Sequence, residues 1–444
     1  MTLDRLEEIA DRMCRLVGDN VEAECRVRRT RLGLTRFANS HIHQHHGEDT
    51  TDVRLRVALD GRVVSTTAVG LDDEGLGRLV TDTLAAARLQ PIDSHWNGVN
   101  GPLEPATMDK ADTSTIEVQP GERAEKVAAF VAAGDGLAAA GFLSTTFMEA
   151  AVATTGRLSV SGRATSATID GIHQTGVSAG NGHQTDIAFS ALDGSAAGSR
   201  AARLAELGRD AEDLDPGRYE VVLAPECVAT VVSFLGVYGF GGRSYSDGQS
   251  FVEVGAEQFD PTFQLVDDPG DSRTVALGFD SEGTPKRRLV LIEDRISRAV
   301  AHDRRTAAKS DAESTGHGYP ESYFGPIPIN LIVGAGSASA DDLIAGVERG
   351  IYVSTFNYCR ILDPRTQVVT GLTRNGTFLI EDGRLSRPLS NLRFTQSFLE
   401  ALAPGAIAAI GDDARYADSE FGPNMVIAPS MRLASWNFTG GARG

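Results

Sequence analysis

Two rhythms, set one inside the other, constrain the first ninety residues. Leu3, Leu6, Ile9, Met13 and Leu16 recur at helical spacing, with Asp4, Glu7, Glu8 and Asp11 on the opposite side, which predicts a helix ending near Gly18. From Val21 the period drops to two. Glu22 to Arg28, Leu32 to Ala38, Thr51 to Leu59 and Arg62 to Ala68 read as strands, and Asp60-Gly61 marks a tight hairpin between the last two. Helical spacing returns from Asp72 to Arg88, where Leu76, Leu79, Val80, Leu84 and Ala87 form the apolar stripe and Asp72 is placed to cap. Helix, antiparallel strands, helix: residues 1–90 are expected to form a compact α+β unit.

Residues 91–120, rich in Pro, Gly, Asn and Asp, read as a linker or a loop wrapping the surface. A middle unit over 121–214 follows. It holds an Ala-rich helix from Gly121 to Ala140, an alternating Thr/Ser/Val/Gly meander from Phe142 to Phe189, and a closing helix from Ser195 to Leu207. Pro216-Gly217 marks a boundary. Beyond it, residues 215–444 open with a strand (Tyr219 to Leu223) and a helix (Pro225 to Leu235), then become Gly-rich and strand-dominated. The expected fold class is α+β: an N-terminal helix-and-antiparallel-sheet unit, a middle α+β unit and a larger sheet-rich C-terminal domain. The 48 glycines in 444 residues agree with turns and close-packed strands rather than a helical bundle.

Charge narrows the partners. Asp plus Glu number 60 against 42 Lys plus Arg, a formal charge of −18 that repels a phosphate backbone, so nucleic acid is not an expected partner. No run reaches the roughly 18 apolar residues of a membrane span, and the acidic N-terminus is no signal peptide. A cytoplasmic protein without a membrane partner is expected. Cys14, Cys25, Cys227 and Cys359 lie far apart with no CxxC spacing, which argues against a disulfide framework.

Three stretches could carry chemistry. His41, His43 and His45 would share one face of a strand, close enough for imidazoles to meet a metal ion, though a solvated edge explains them as well. Leu331 to Ser339 combines a strand, Gly334-Ala335-Gly336 and a helix start. It lacks a third Gly and the flanking βαβ pattern of a phosphate cradle, and Ser339 with Asp342 reads as a capping box. The helix opening Pro225-Glu226-Cys227 places proline and an acid where a helix start favours them, and Cys227 reads as inert packing. No Gly-x-Ser-x-Gly elbow supports a serine hydrolase.

The order of several longer segments resembles the TldD/PmbA family across nearly the whole chain. They are Thr35-Arg36-Phe37-Ala38-Asn39-Ser40 with His43-Gln44, Leu265 to Pro269, Phe279-Asp280-Ser281-Glu282-Gly283-Thr284-Pro285, His302 to Lys309, Gly350 to Val353, and Gly376 to Gly383. The resemblance implies a zinc-dependent peptidase of two related subunits enclosing a chamber that holds peptides as extended strands. In the TldD-type subunit a helix carries His-Glu-x-x-x-His, and a Cys near the C-terminus completes the zinc site. The TldE-type subunit, also called PmbA, lacks these ligands.

Laid on that pattern, Pro225 stands at the first His and Thr230 at the second; only the acid is kept, as Glu226. Proline offers no donor and a threonine hydroxyl is a poor zinc ligand beside imidazole. The segment Pro423 to Pro429 lacks the Cys. The resemblance therefore implies a TldE/PmbA-type subunit with no metal and no catalytic residue of its own, Glu226 being a retained helix-start residue. Zinc is expected in a TldD-type paralogous partner, with an extended peptide as substrate and a homodimer as the alternative assembly. The alternatives are a self-sufficient metallopeptidase with an atypical ligand set, whose rebuilt site would need Cys227, Cys359, His302 and His317 to converge, and a peptide-binding module without protease activity.

Overall fold

The computed structural model describes residues 2–18, 20–70, 72–104, 108–319, 323–422 and 425–441. The expected α+β class is what it shows, with a large antiparallel sheet followed by a sheet-rich C-terminal half.

Helix α1 (Leu3–Leu16) buries Leu6, Ile9, Ala10 and Met13. Strand β1 (Glu22–Ala38) is one unbroken run, where the alternation predicts two pieces. Its charged middle does not interrupt pairing because ion pairs satisfy it: Arg28 reaches Asp52 at 2.9 Å and Arg29 reaches Asp49 at 2.6 Å. Asn39-Ser40, with φ of 49° and 63°, turns the chain into β2 (His41–Leu59). Asp60-Gly61 forms the expected hairpin into β3 (Arg62–Val69). Asp72 caps α2 (Asp73–Ala87), accepting from the Gly75 N–H at 2.8 Å.

The stretch after α2 runs along the surface and holds one helical turn, α3 (Thr113–Ile116). It is tied down: Asn100 Nδ2 donates to the Glu282 carbonyl at 2.9 Å. Helix α4 (Pro120–Ala132) is shorter than expected, because Asp135 and Gly136 turn the backbone left-handed and Ala138 to Ala140 join a strand. That strand is β4 (Ala138–Thr154), followed by β5 (Ser159–Gln174), β6 (Ala179–Asp186) and α5 (Gly194–Leu207). β4 pairs with β1 from Glu24↔Thr154 to Phe37↔Gly141, so the first and middle units contribute halves of one sheet, β3-β2-β1-β4-β5-β6. One face carries both helix pairs. Ala23, Cys25 and Val27 pack under α1 and α2, and Phe37 and Leu143 under α4 and α5. On the other face Ala150, Val152 and Val160 meet Phe279.

The C-terminal half begins with β7 (Gly217–Leu223), α6 (Pro225–Phe234) and α7 (Gly242–Ser246). Strands β8 (Leu265–Asp267), β9 (Leu289–Glu293) and β10 (Ile296–Ser297) lead to α8 (Arg304–Lys309), β11 (Asn330–Val333) and α9 (Ala340–Ala345). Ser339 and Asp342 form the expected capping box on α9. Then come β12 (Arg349–Asp363), β13 (Val368–Glu381), β14 (Arg384–Pro388), β15 (Leu392–Ser397), α10 (Phe398–Ala401), β16 (Ile407–Ile410), β17 (Arg415–Ala417), β18 (Met425–Ala428) and β19 (Met431–Gly441). The pairings β12-β7-β19-β15-β13 and back to β12 close a ring, packed with Phe356, Phe394, Phe398 and Trp436. A second sheet, β10-β9-β8-β11-β18-β17, lies beside it. Helix α6 packs against β12, β17 and β18, where the two sheets meet.

Candidate functional site

Every residue of α6 is buried, as an apolar helix at a junction of sheets requires. Pro225 occupies its first turn. Glu226 is 4% exposed and meets a cation placed to answer it: Arg415, at the start of β17, donates from Nη1 and Nη2 to the two carboxylate oxygens at 2.7 and 3.1 Å. Burial alone would raise the Glu226 pKa. The charge and hydrogen bonds of Arg415, with Arg200 of α5 further out, outweigh it and hold Glu226 below the ordinary carboxylate value. Both functions of the Thr230 hydroxyl are used, donating to the Glu226 carbonyl at 3.0 Å and accepting from the Glu420 N–H at 3.1 Å. Glu420 in turn accepts from the Cys359 N–H at 3.0 Å. The N-terminal sheet closes in from the other side. His183 of β6 is held by Asp170 of β5 at 3.0 Å and takes a backbone contact from Arg200.

This donor set does not suit zinc. Pro225 has no lone pair to give, the Thr230 oxygen is committed, and a permanent guanidinium charge sits on the one carboxylate, repelling a second cation. Pro423 and Asn424 lie outside the described residues, and the rest of that segment forms β18, Met425–Ala428, paired parallel to β11.

The other candidates do not assemble either. Cys227 Sγ faces the Val353 carbonyl, and burial pushes the thiols of both Cys227 and Cys359 up, away from the thiolate a metal needs. His302 and His317 are neighbours of one another. His302 bonds to Thr306 at 3.2 Å and burial brings it down to about 4, while His317 lies 3.2 Å from buried Asp267. Among the described residues no group of three or more His, Cys, Asp or Glu is placed to hold a metal. His41, His43 and His45 do lie on the exposed end of β2, but His45 is engaged by Thr35 at 3.2 Å and by the Arg123 guanidinium at 3.3 Å. Motif reading named Pro225, Glu226 and Thr230; Arg415, Arg200 and His183 had no sequence signal, being brought in from three distant elements.

Residues 216–440, just over half of the chain, match the family model of the PmbA/TldA metallopeptidase C-terminal domain. The chain belongs to the TldD/PmbA family. Its similarity to curated relatives is partial: 26% identity over 254 residues with a metalloprotease TldD homologue of Buchnera aphidicola, covering 54% of this chain and 52% of that one. A second, from Haemophilus influenzae, is 30% identical over 154 residues, covering 34% and 32%. The chain thus spans about half or less of the length of these TldD homologues. Among solved structures, TldE of Thermococcus kodakarensis superposes with a TM-score of 0.85 at 19% identity, covering 99% of this chain and all of that one. A Thermotoga maritima protein described as a modulator of DNA gyrase superposes at 0.86 with 17% identity, covering 98% and 100%. These two share the TldD/PmbA fold from end to end. No helix among the described residues is long and apolar enough to cross a membrane.

Proposed function

We propose that this chain is the TldE-type, non-catalytic subunit of a two-chain metallopeptidase acting on unfolded or short peptides. One observation carries the reading: at the helix where the family pattern sets two zinc-binding histidines around an acid, this chain sets proline and threonine, and its acid is clamped by Arg415. Without a Lewis acid or an activated water, Glu226 has no proton to take. Zinc and general base then come from a TldD-type paralogous partner, and this chain supplies wall and backbone against which an extended peptide lies. The cytoplasm is the compartment this reading requires.

Co-expression with a His-Glu-x-x-x-His paralogue tests it, each chain being assayed alone and together on a disordered peptide, with metal analysis of both. The expected outcome is cleavage only by the pair, abolished by chelator, with stoichiometric zinc in the partner alone. Chelator-sensitive cleavage by this chain alone would overturn the reading, and so would a chain that stays a monomer or homodimer and ignores the paralogue.

A further inference from the structure

The face of the N-terminal sheet that carries the helices is not evenly covered. Between the pair α1/α2 and the pair α4/α5, the middle of β1, β2 and β4 lies under a cavity of about 310 Å³, at the small end of ligand-sized pockets. Two guanidiniums enter it. Arg123, from α4, is only 5% exposed; it donates to the Val118 carbonyl at 3.4 Å, the Thr145 hydroxyl at 3.3 Å and His45 at 3.3 Å, all long and all to uncharged acceptors. Its Nε is buried with no partner, and so is the Nε of Arg31 on β1, whose head lies over the Phe147 ring at 4.7 Å. Among the described residues no carboxylate is within ion-pair distance of either.

A cation as deep as Arg123 without a carboxylate partner is expensive, and proteins normally answer it with an anion; Arg31 beside it is half-buried. Of the carboxylates at the rim, Asp49 takes two hydrogen bonds from Arg29, at 2.8 and 2.6 Å, and gives Arg31 only its longer-range charge, while Glu48 faces His46 at 3.7 Å. The floor is made for occupancy too. Gly33 and Gly47 are cross-strand partners, and a Cβ on Gly33 would stand 2.7 Å from the Arg123 guanidinium carbon, whereas one on Gly47 would meet nothing within 4 Å. The apolar part of the wall includes Ile116, Val118 and the Phe147 ring.

We propose that this cavity is a binding site for a small organic carboxylate, its anionic end held by Arg31 and Arg123 and its apolar body against Phe147, Ile116 and Val118. The carboxylate is the group whose planar pair of oxygens matches a guanidinium edge. The apolar wall asks for a body that inorganic phosphate lacks. The site is independent of the subunit reading, since every residue lining it comes from the N-terminal sheet and its helices.

The test uses the full chain with benzoate, its neutral isostere benzamide, and inorganic phosphate, followed by calorimetric titration and thermal shift. Saturable binding of benzoate alone is expected, with a concentration-dependent rise in Tm. Gly47→Val puts a side chain into the cavity from a position where a Cβ meets nothing within 4 Å, and should keep the unliganded Tm while abolishing the response. Arg123→Met should weaken benzoate by about tenfold or more, the loss of a charge-assisted pair, and leave the unliganded Tm equal or higher. No saturable benzoate binding, equal binding of benzamide or of phosphate, or an unchanged affinity in Gly47→Val would each overturn the proposal. A fall in Tm in Arg123→Met would instead assign that residue a structural role and overturn the anion site.

Discussion

At Glu226 a carboxylate survives in a place where burial disfavours its charge, and the pairing with Arg415 is what makes that tolerable. Removing one member of such a pair is worse than removing both, because the survivor is left charged and dry. Arg415→Ala should therefore lose about 3 kcal/mol in denaturant unfolding at neutral pH, below the top of the range for buried pairs because Arg415 keeps a third of its side chain open to water. The double variant Glu226→Gln/Arg415→Met should recover most of that loss; failure to recover would mean that the arginine packs rather than pairs. The sign with pH is fixed by the direction of the shift. Glu226 is lowered in the folded chain, so its contribution is present above the unfolded carboxylate pKa and is lost as pH falls through the folded one. In the double variant that part of the acid sensitivity should disappear.

Among the elements, α5 rests on β6 with almost no side chain between them. A Cβ on Gly182 would stand 2.0 Å from the Ala197 carbonyl, and one on Gly180 would stand 2.2 Å from the Ala201 carbonyl. Gly182→Ala should cost about 3 kcal/mol, at the upper end for overpacking, because backbone rather than a flexible side chain has to move. Gly47→Ala, in open space, is the control for strand propensity. The same contrast explains how much of the molecule was legible. The 48 glycines pointed to close-packed strands, and alternation with turn chemistry at Asp60-Gly61 and Asp72 located α1, α2, the N-terminal strands and the meander. What alternation could not show was long-range pairing. The polar run Arg29 to Arg31 looked like a break between strands, since Asp49, the partner of Arg29, comes from the next strand. Ala138 to Ala140 looked helical because alanine favours helices, until a sheet claims it. At the candidate site the motif positions on α6 were readable in one dimension. Arg415 was not, because 189 residues separate it from the acid it neutralises.

Over the whole molecule, the two halves are joined by charge as well as by the Phe279 contact. Glu282, 3% exposed, accepts from Arg56 of the N-terminal sheet at 2.6 Å and from the Arg304 N–H at 3.0 Å; Glu24 shares Arg56 at 3.0 Å, and the Trp96 ring covers both guanidiniums. Beside it Asp280 accepts from the N–H groups of Glu282, Thr284 and Gly318, yet burial and the charge of Glu282 push it up to about 8. A raised acid acts on stability with the sign opposite to Glu226. The folded chain prefers Asp280 protonated, so the benefit is complete below the unfolded carboxylate pKa and drains away as pH rises through about 8. Glu282→Gln removes the like charge and one anchor of Arg56 together. It should lower stability at pH 7 by about 3 kcal/mol, the scale for a buried ion pair that loses a partner, and flatten the decline between about pH 5 and 8 because Asp280 then ionises with less opposition. Calorimetry across that range should also show the N-terminal sheet melting ahead of the C-terminal ring in the variant, since one of the ties between them runs through this carboxylate. A variant that still melts in one transition with the same pH slope would place the coupling in the apolar contact at Phe279 and in the packing of β6 on β13 and β17 and of α5 on β13 instead.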